Sequence, residues 1–211
     1  MAWLTAALTL LVLGGCRVEY ADHHEHWQAH SAHIASDQNA DGDISFSPPD
    51  TYIVSSARTT GSVLAGIDPV YGDEFRGFLD FQLRDAHGVP LYADIESAFL
   101  ELFISRVDET FPGAGVYLLI DLVSFQPPAL IASDFDRSVQ PPIITLPVEI
   151  VSADAGSIMV IDVTTLMIEA QRLDLPDFQL RFLLDGFAVS GLVEIEDDDF
   201  ATAPVLSVHY H

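Results

Sequence analysis

Phe75-Arg76-Gly77-Phe78-Leu79-Asp80-Phe81-Gln82-Leu83 is the stretch on which the fold turns. Phe75, Gly77, Leu79, Phe81 and Leu83 alternate with Arg76, Phe78, Asp80 and Gln82. A period of two belongs to a strand with one face on a core, because successive side chains leave a pleated backbone on opposite sides. Further along, Ala98, Leu100, Leu102 and Ile104 alternate with Phe99, Glu101, Phe103 and Ser105. Phe178, Leu180, Phe182 and Leu184 alternate with Gln179, Arg181 and Leu183, and Leu206, Val208 and Tyr210 with Ser207 and His209.

Working outward, the same reading predicts strands over Thr51–Ala57, Val116–Phe125, Ile143–Val151, Ile158–Asp162 and Leu192–Glu196. Turn residues punctuate several of the gaps: Phe111-Pro112-Gly113, Gln126-Pro127-Pro128, Gln140-Pro141-Pro142 and Ala153-Asp154-Ala155-Gly156. One helix is expected from about Val163 to Arg172. Val163, Leu166, Met167 and Ala170 fall on one helical face, Asp162 or Thr164 can cap its start, and Pro176 lies just beyond its end. About nine strands with one short helix make an all-β protein, and the expected architecture is a β-sandwich.

The chain has 211 residues and 49% hydrophobic residues, enough for a sizeable core. It carries 32 acidic residues against eight arginines and no lysine, a formal charge of −24. Phosphate backbones and anionic headgroups are repelled by such a surface, so nucleic acid is excluded as a partner and cations are favoured. One cysteine, Cys16, means that no internal disulfide supports the fold.

Ala2 to Leu13 is almost wholly apolar. As a helix this segment spans roughly 18 Å, short of the ~30 Å bilayer core, and it has the length of a signal-peptide h-region. Leu13-Gly14-Gly15-Cys16 resembles the lipobox of bacterial lipoproteins. The resemblance implies cleavage after residue 15 and a palmitate-bearing, membrane-anchored Cys16, with Arg17 favouring the outer membrane or cell surface. Met1-Ala2-Trp3 lacks the basic residue usual in such n-regions. The expected organisation is therefore a signal peptide over 1–15, a flexible polar tether over 16–50 and a domain over 51–211.

The strand motifs carry a second resemblance. Phe75–Leu83, Ile95-Glu96-Ser97-Ala98-Phe99-Leu100-Glu101-Leu102-Phe103, Ile161-Asp162-Val163-Thr164, Phe178–Phe182 and Ala203–Tyr210 follow one another in the order of DNRLRE-type, or disaggregatase-related, domains. These resemble galactose-binding-like sandwiches and some carbohydrate-binding modules. The likeness runs from about Thr51 to Tyr210 and implies a jelly roll. Asp108–Gly156 is longer than that family has there, and no ligand site of the family can be matched. Arg76 and Asp80 are expected to be structural partners.

Two stretches suggest metal chemistry. Asp37, Asn39, Asp41, Asp43 and Ser45 occupy alternate positions around Gly42, as in the first nine positions of an EF-hand or dockerin loop. Ca²⁺ takes about six to eight hard oxygens, and such a loop supplies several. Position 12 holds Pro48, and Pro48-Pro49 forbid an exit helix, with Asp50 the nearest substitute. His23, His26, His30 and His33 share a stripe if their segment is helical, a candidate second metal site. Gln28 stands where a zincin motif needs its second histidine. Glu194, Glu196, Asp197, Asp198 and Asp199 read as a solvated turn, with a cation site the competing reading.

No nucleophile elbow, phosphate loop or Ser/His/Asp order is present, so no catalysis is expected. Tyr52, Tyr71, Tyr92 and Tyr117 are candidate aromatic platforms for a glycan. The expected function is a Ca²⁺-stabilised, lipid-anchored extracytoplasmic protein that binds a polysaccharide or an envelope component. A structural or assembly protein of the envelope is the alternative, and an accessory hydrolase the third.

Overall fold

The structure is a computed structural model that describes residues 28–125, 129–186, 188–198 and 201–211. Cys16, His23 and His26 lie outside the described residues. Within them the chain is all-β: one twelve-stranded antiparallel sheet curls around a single main core.

All nine expected strands are present, with ends shifted by a few residues. They are β3 (Thr51–Ser56), β5 (Glu74–Gln82), β6 (Ile95–Glu109), β7 (Val116–Val123), β8 (Ile144–Ile150), β9 (Ser157–Asp162), β10 (Asp177–Leu184), β11 (Gly191–Glu196) and β12 (Val205–Tyr210). Three more were not expected: β1 (His30–Ala35), β2 (Gly42–Ser47) and β4 (Ser62–Ile67). A four-residue helix α1 (Ala57–Thr60) precedes β4, and α2 (Thr164–Arg172) is the expected helix. Val163, Leu166, Met167 and Ala170 are all buried, and Asp162 accepts the Thr164 amide at 2.9 Å. Among the described residues no helix is long and apolar enough to cross a membrane.

The main hydrogen-bonded path runs β1-β12-β6-β11-β4-β5-β10-β7-β8. β6 is long enough to serve two neighbours on one edge, β12 over its first half and β11 over its second, while β9 lies on the other edge. The alternation of the opening stretch resolves as predicted on one face. Leu79 and Phe81 join Leu100, Leu102, Leu118, Leu180, Phe182 and Leu206 in the core.

The other face of β5 is also covered. Phe78 packs with Ile44, Val123, Phe125 and Phe135 in a second, smaller cluster beneath the segment that follows β7. A polar layer lies beside it, and the strand register creates that layer. Asp121 of β7 stands directly opposite Arg181 of β10, and Gln179 of β10 opposite Asp80 of β5. Residues directly opposite on one face are close enough for side chains to meet. Arg181, wholly buried, bonds Asp121 at 2.8 Å and caps the carbonyls of Asp134 and Gln140.

The polar stretch before Thr51 is not a tether throughout. β1 pairs with β12, joining one end of the sheet to the last strand, and β2 lies between β3 and β5. The sheet therefore begins at His30, which leaves residues 17–29 between Cys16 and the first strand. Ser47-Pro48-Pro49-Asp50 forms the tip of the β2–β3 hairpin. Gly42 belongs to that pairing more than to a loop: a Cβ there would meet the Ser55 carbonyl oxygen at 2.0 Å.

Candidate functional site

The five loop residues are not gathered into one shell. Asp37 Oδ1 accepts the Asn39 amide at 3.0 Å and the Asn39 side-chain Nδ2 at 2.8 Å, a local turn that meets its own needs. Asp37 Oδ2 accepts from Gln82, and Asn39 Oδ1 accepts from Arg58 at 2.7 Å. Asp43 lies on β2, buried, where it accepts the Leu64 amide at 3.3 Å. Burial pushes its carboxyl up to about 6. Ser45 is buried farther along β2. Asp50 lies in the turn beyond β2, whose six residues alone put roughly 20 Å between that turn and Asp41. Among the described residues no three His, Cys, Asp or Glu side chains stand ready as a metal-binding group.

Asp41 is different. It is 1% exposed, takes the Asp80 amide on Oδ1 at 2.6 Å, and has no donor for Oδ2. Beside it lies Asp197, from the far end of the chain, 0% exposed and likewise without a donor on Oδ2. Both carboxyls are held above the usual range, chiefly by burial, and Asp41 further by the neighbouring Asp197. Asp197 thus does not belong to a solvated turn. β11 carries Val193 and Ile195 into the core, and the chain then turns inward so that the Asp197 amide bonds the Gly61 carbonyl at 2.9 Å.

Four segments meet at this pair. The Asp41 amide bonds the Asp37 carbonyl, the Ala57 amide bonds the Asp41 carbonyl, and the Gln38 side chain donates to the Asp197 carbonyl. The Ser36 hydroxyl faces Asp197 Oδ1 at 3.4 Å. Sequence spacing picked out Asp41 but read Asp197 with its acidic neighbours, because nothing in Glu-Asp-Asp-Asp shows which carboxylate turns inward.

Of the four histidines only His30 and His33 lie among the described residues, and these two do not share a helical stripe. His30 and His33 lie on a strand, three residues apart and so on opposite faces. His30 stacks on Tyr210 at 5.7 Å, and His33 Nδ1 meets the Ser207 hydroxyl at 2.9 Å. Arg76 and Asp80 are both structural but are not partners. Arg76 pairs with Glu74 at 2.7 Å, lies 3.9 Å over the Phe135 ring and bonds the Phe135 carbonyl. Asp80 takes Gln179 at 2.7 Å, and burial pushes it up to about 6.

A separate open groove of about 580 Å³ is lined by Asp68, Tyr71, Arg106, Asp108, Glu109 and Ser152, among others. Asp68 fixes the turn that presents Tyr71 by accepting the Val70 and Tyr71 amides at 2.7 and 3.0 Å. Tyr71 is 80% exposed. Glu109 also lines the groove, and the amides of Ser152 and Gly113 hold its carboxyl below the usual range. The other tyrosines differ. Tyr52 is tied into a ring cluster with Phe46 and Phe135, Tyr117 donates to Glu149, and Tyr92 is exposed at a left-handed turn with φ of 66°. No protein-family model matches the chain, and no curated protein matches its sequence.

Proposed function

We propose that the chain is a non-catalytic, extracytoplasmic binding protein, anchored through a lipidated Cys16, whose β-sandwich takes a polysaccharide of the cell envelope. A divalent cation stabilises the domain. The observation that carries this reading is the groove at Tyr71. An exposed aromatic ring offers its face to the C–H face of a sugar ring. Arg106 supplies hydrogen-bond donors, and Asp68, Asp108 and Glu109 supply acceptors, the two kinds of partner that vicinal hydroxyls need. The groove is open, which suits a chain-like ligand more than a buried small molecule.

Affinity electrophoresis through gels cast with soluble envelope glycans tests it. Retardation by at least one glycan, lost in Tyr71→Ala with an unchanged melting temperature, is the expected result. Free migration in every gel counts against it. Radiolabelled palmitate incorporated by the wild type but not by Cys16→Ala would support the anchor.

A second reading, as an assembly component of the envelope, draws on β3. That strand pairs only with β2 among the described residues, and Tyr52, Ile53 and Val54 are 46%, 56% and 41% exposed. An uncharged strand edge is a template for another strand. Its mark is a membrane-derived complex that Ile53→Lys dissolves.

A further inference from the structure

We propose that Asp41 and Asp197 are the core of a hard divalent-cation site, suited to Ca²⁺, that clamps the segment between β1 and β2 to the end of β11. The proposal rests on the reading that a cation stabilises the domain. It replaces a ligand set confined to residues 37–45 with one that spans most of the chain.

The geometry carries it. Both side chains are shielded from solvent, at 1% and 0% exposure, and each keeps one oxygen with no donor. A buried carboxylate oxygen left unmet is costly, and two such groups in contact repel each other as well. The carboxyls lie within hydrogen-bonding reach of each other. No arginine among the described residues relieves them. Arg76, Arg84, Arg106, Arg137, Arg172 and Arg181 pair with other carboxylates, and Arg58 is taken by Asn39.

The available donors are all hard oxygens. Two carboxylates converge, the Ser36 hydroxyl stands at 3.4 Å from Asp197 Oδ1, and the negative field of Asp37 acts on Asp197. Among the described residues no histidine or cysteine joins the pair in a metal-binding group, which disfavours Zn²⁺ and Cu²⁺. Ca²⁺ tolerates an irregular shell completed by carbonyls and water, whereas Mg²⁺ demands a near-octahedral one. A bound ion would meet both orphaned oxygens at once and turn the repulsion into attraction. The competing way to satisfy the pair is a proton shared between the two carboxyls.

The test uses the full mature chain at pH 7.5, melted in EDTA and in millimolar CaCl₂ or MgCl₂, with calcorimetric titration by Ca²⁺ alone. The wild type should melt roughly 5 °C or more higher in saturating Ca²⁺. Asp41→Asn and Asp197→Asn should each lose that shift and bind Ca²⁺ at least about tenfold more weakly. In EDTA, Asp197→Asn should melt no lower than the wild type, because the like-charge repulsion is gone. Asp43→Asn should keep the shift.

A wild type that Ca²⁺ does not stabilise overturns both the site and the cation reading, leaving a shared proton. A shift that survives Asp197→Asn but not Asp43→Asn overturns this ligand set alone and returns the ion to residues 37–45. Should Asp41→Asn not fold, Ser36→Ala spares both carboxylates. An unchanged calcium affinity in that variant overturns the site.

Discussion

Asp121→Asn removes the only carboxylate that faces Arg181 among the described residues while keeping its shape. Asp121 is wholly buried and receives Arg181 through Nε at 3.2 Å and Nη2 at 2.8 Å. It also receives Arg137 at 2.9 Å and Thr145 at 2.6 Å. Arg181 has no exposure and would keep the carbonyls of Asp134 and Gln140 and at most one neutral amide oxygen in place of the carboxylate. An uncompensated buried charge of this kind costs about 3–5 kcal/mol. Burial already pulls the Arg181 guanidinium below its ordinary value, so the charge is poorly hydrated before the substitution. For a domain of this length the cost corresponds to a melting point lowered by roughly 6–20 °C.

Arg181→Met with Asp121→Val removes both charges and should cost less than the single change. It loses the bonds to two carbonyls and those of Asp121 with the half-exposed Arg137 and with Thr145, but leaves no buried charge, and apolar replacement of a buried ion pair is often close to neutral. Urea unfolding read by tyrosine fluorescence and by far-UV circular dichroism gives both free energies and checks two-state behaviour. A single variant within about 1 kcal/mol of the wild type would refute the reasoning, since it would mean that water reaches Arg181. A double variant worse than the single would refute it equally.

Other predictions follow from single contacts. Gly77→Ala places a methyl 2.6 Å from Val63 Cγ1, and overpacking there should cost about 1–3 kcal/mol, relieved by Val63→Ala in a double variant. A chain beginning at Thr51 loses β1 and β2, uncovering β12 and the Ile44–Phe78 cluster, and should show a broad, non-cooperative melt where the mature chain melts sharply. In EDTA, stability should fall as pH rises from about 4 to about 6. Asp43 and Asp80 are pushed up to about 6 by burial, above the ~3.9 of an unfolded chain, so the folded state binds more protons in that window. The groups facing them are Ser55 and the Leu64 amide for Asp43, and Gln179, Asp177 and Asp37 for Asp80. A melting point that rises through that window would contradict the assignment.

How much was legible depended on whether one face of an element was apolar. The nine strands with a clear alternation were all readable, and so was α2, whose four apolar residues all reach the core. β1 and β2 were missed for a common reason. His30–Ala35 and Gly42–Ser47 are short and polar in composition, and their burial comes from neighbours supplied by β12 and β5. β4 carries only Val63 and Ala65 into the core, with Gly66 against β11, too little for a periodic signal. His30 and His33 fall on opposite faces because their backbone is extended where a helical spacing was assumed, and Arg76 and Asp80 are not partners because cross-strand register outranks spacing along one strand.

Composition and periodicity by themselves determined an acidic all-β chain with a large core, one helix and a calcium-like acidic stretch. Those properties are local: they depend on which residues alternate and how many charges there are. The tertiary structure decided which carboxylates matter. Asp41 and Asp197 are separated by most of the sequence, and only the closure of the sheet, which brings the end of β11 against α1 and the β1–β2 segment, buries them side by side. Their chemistry comes from exclusion of water and from each other's charge, and neither is a property of a residue read alone.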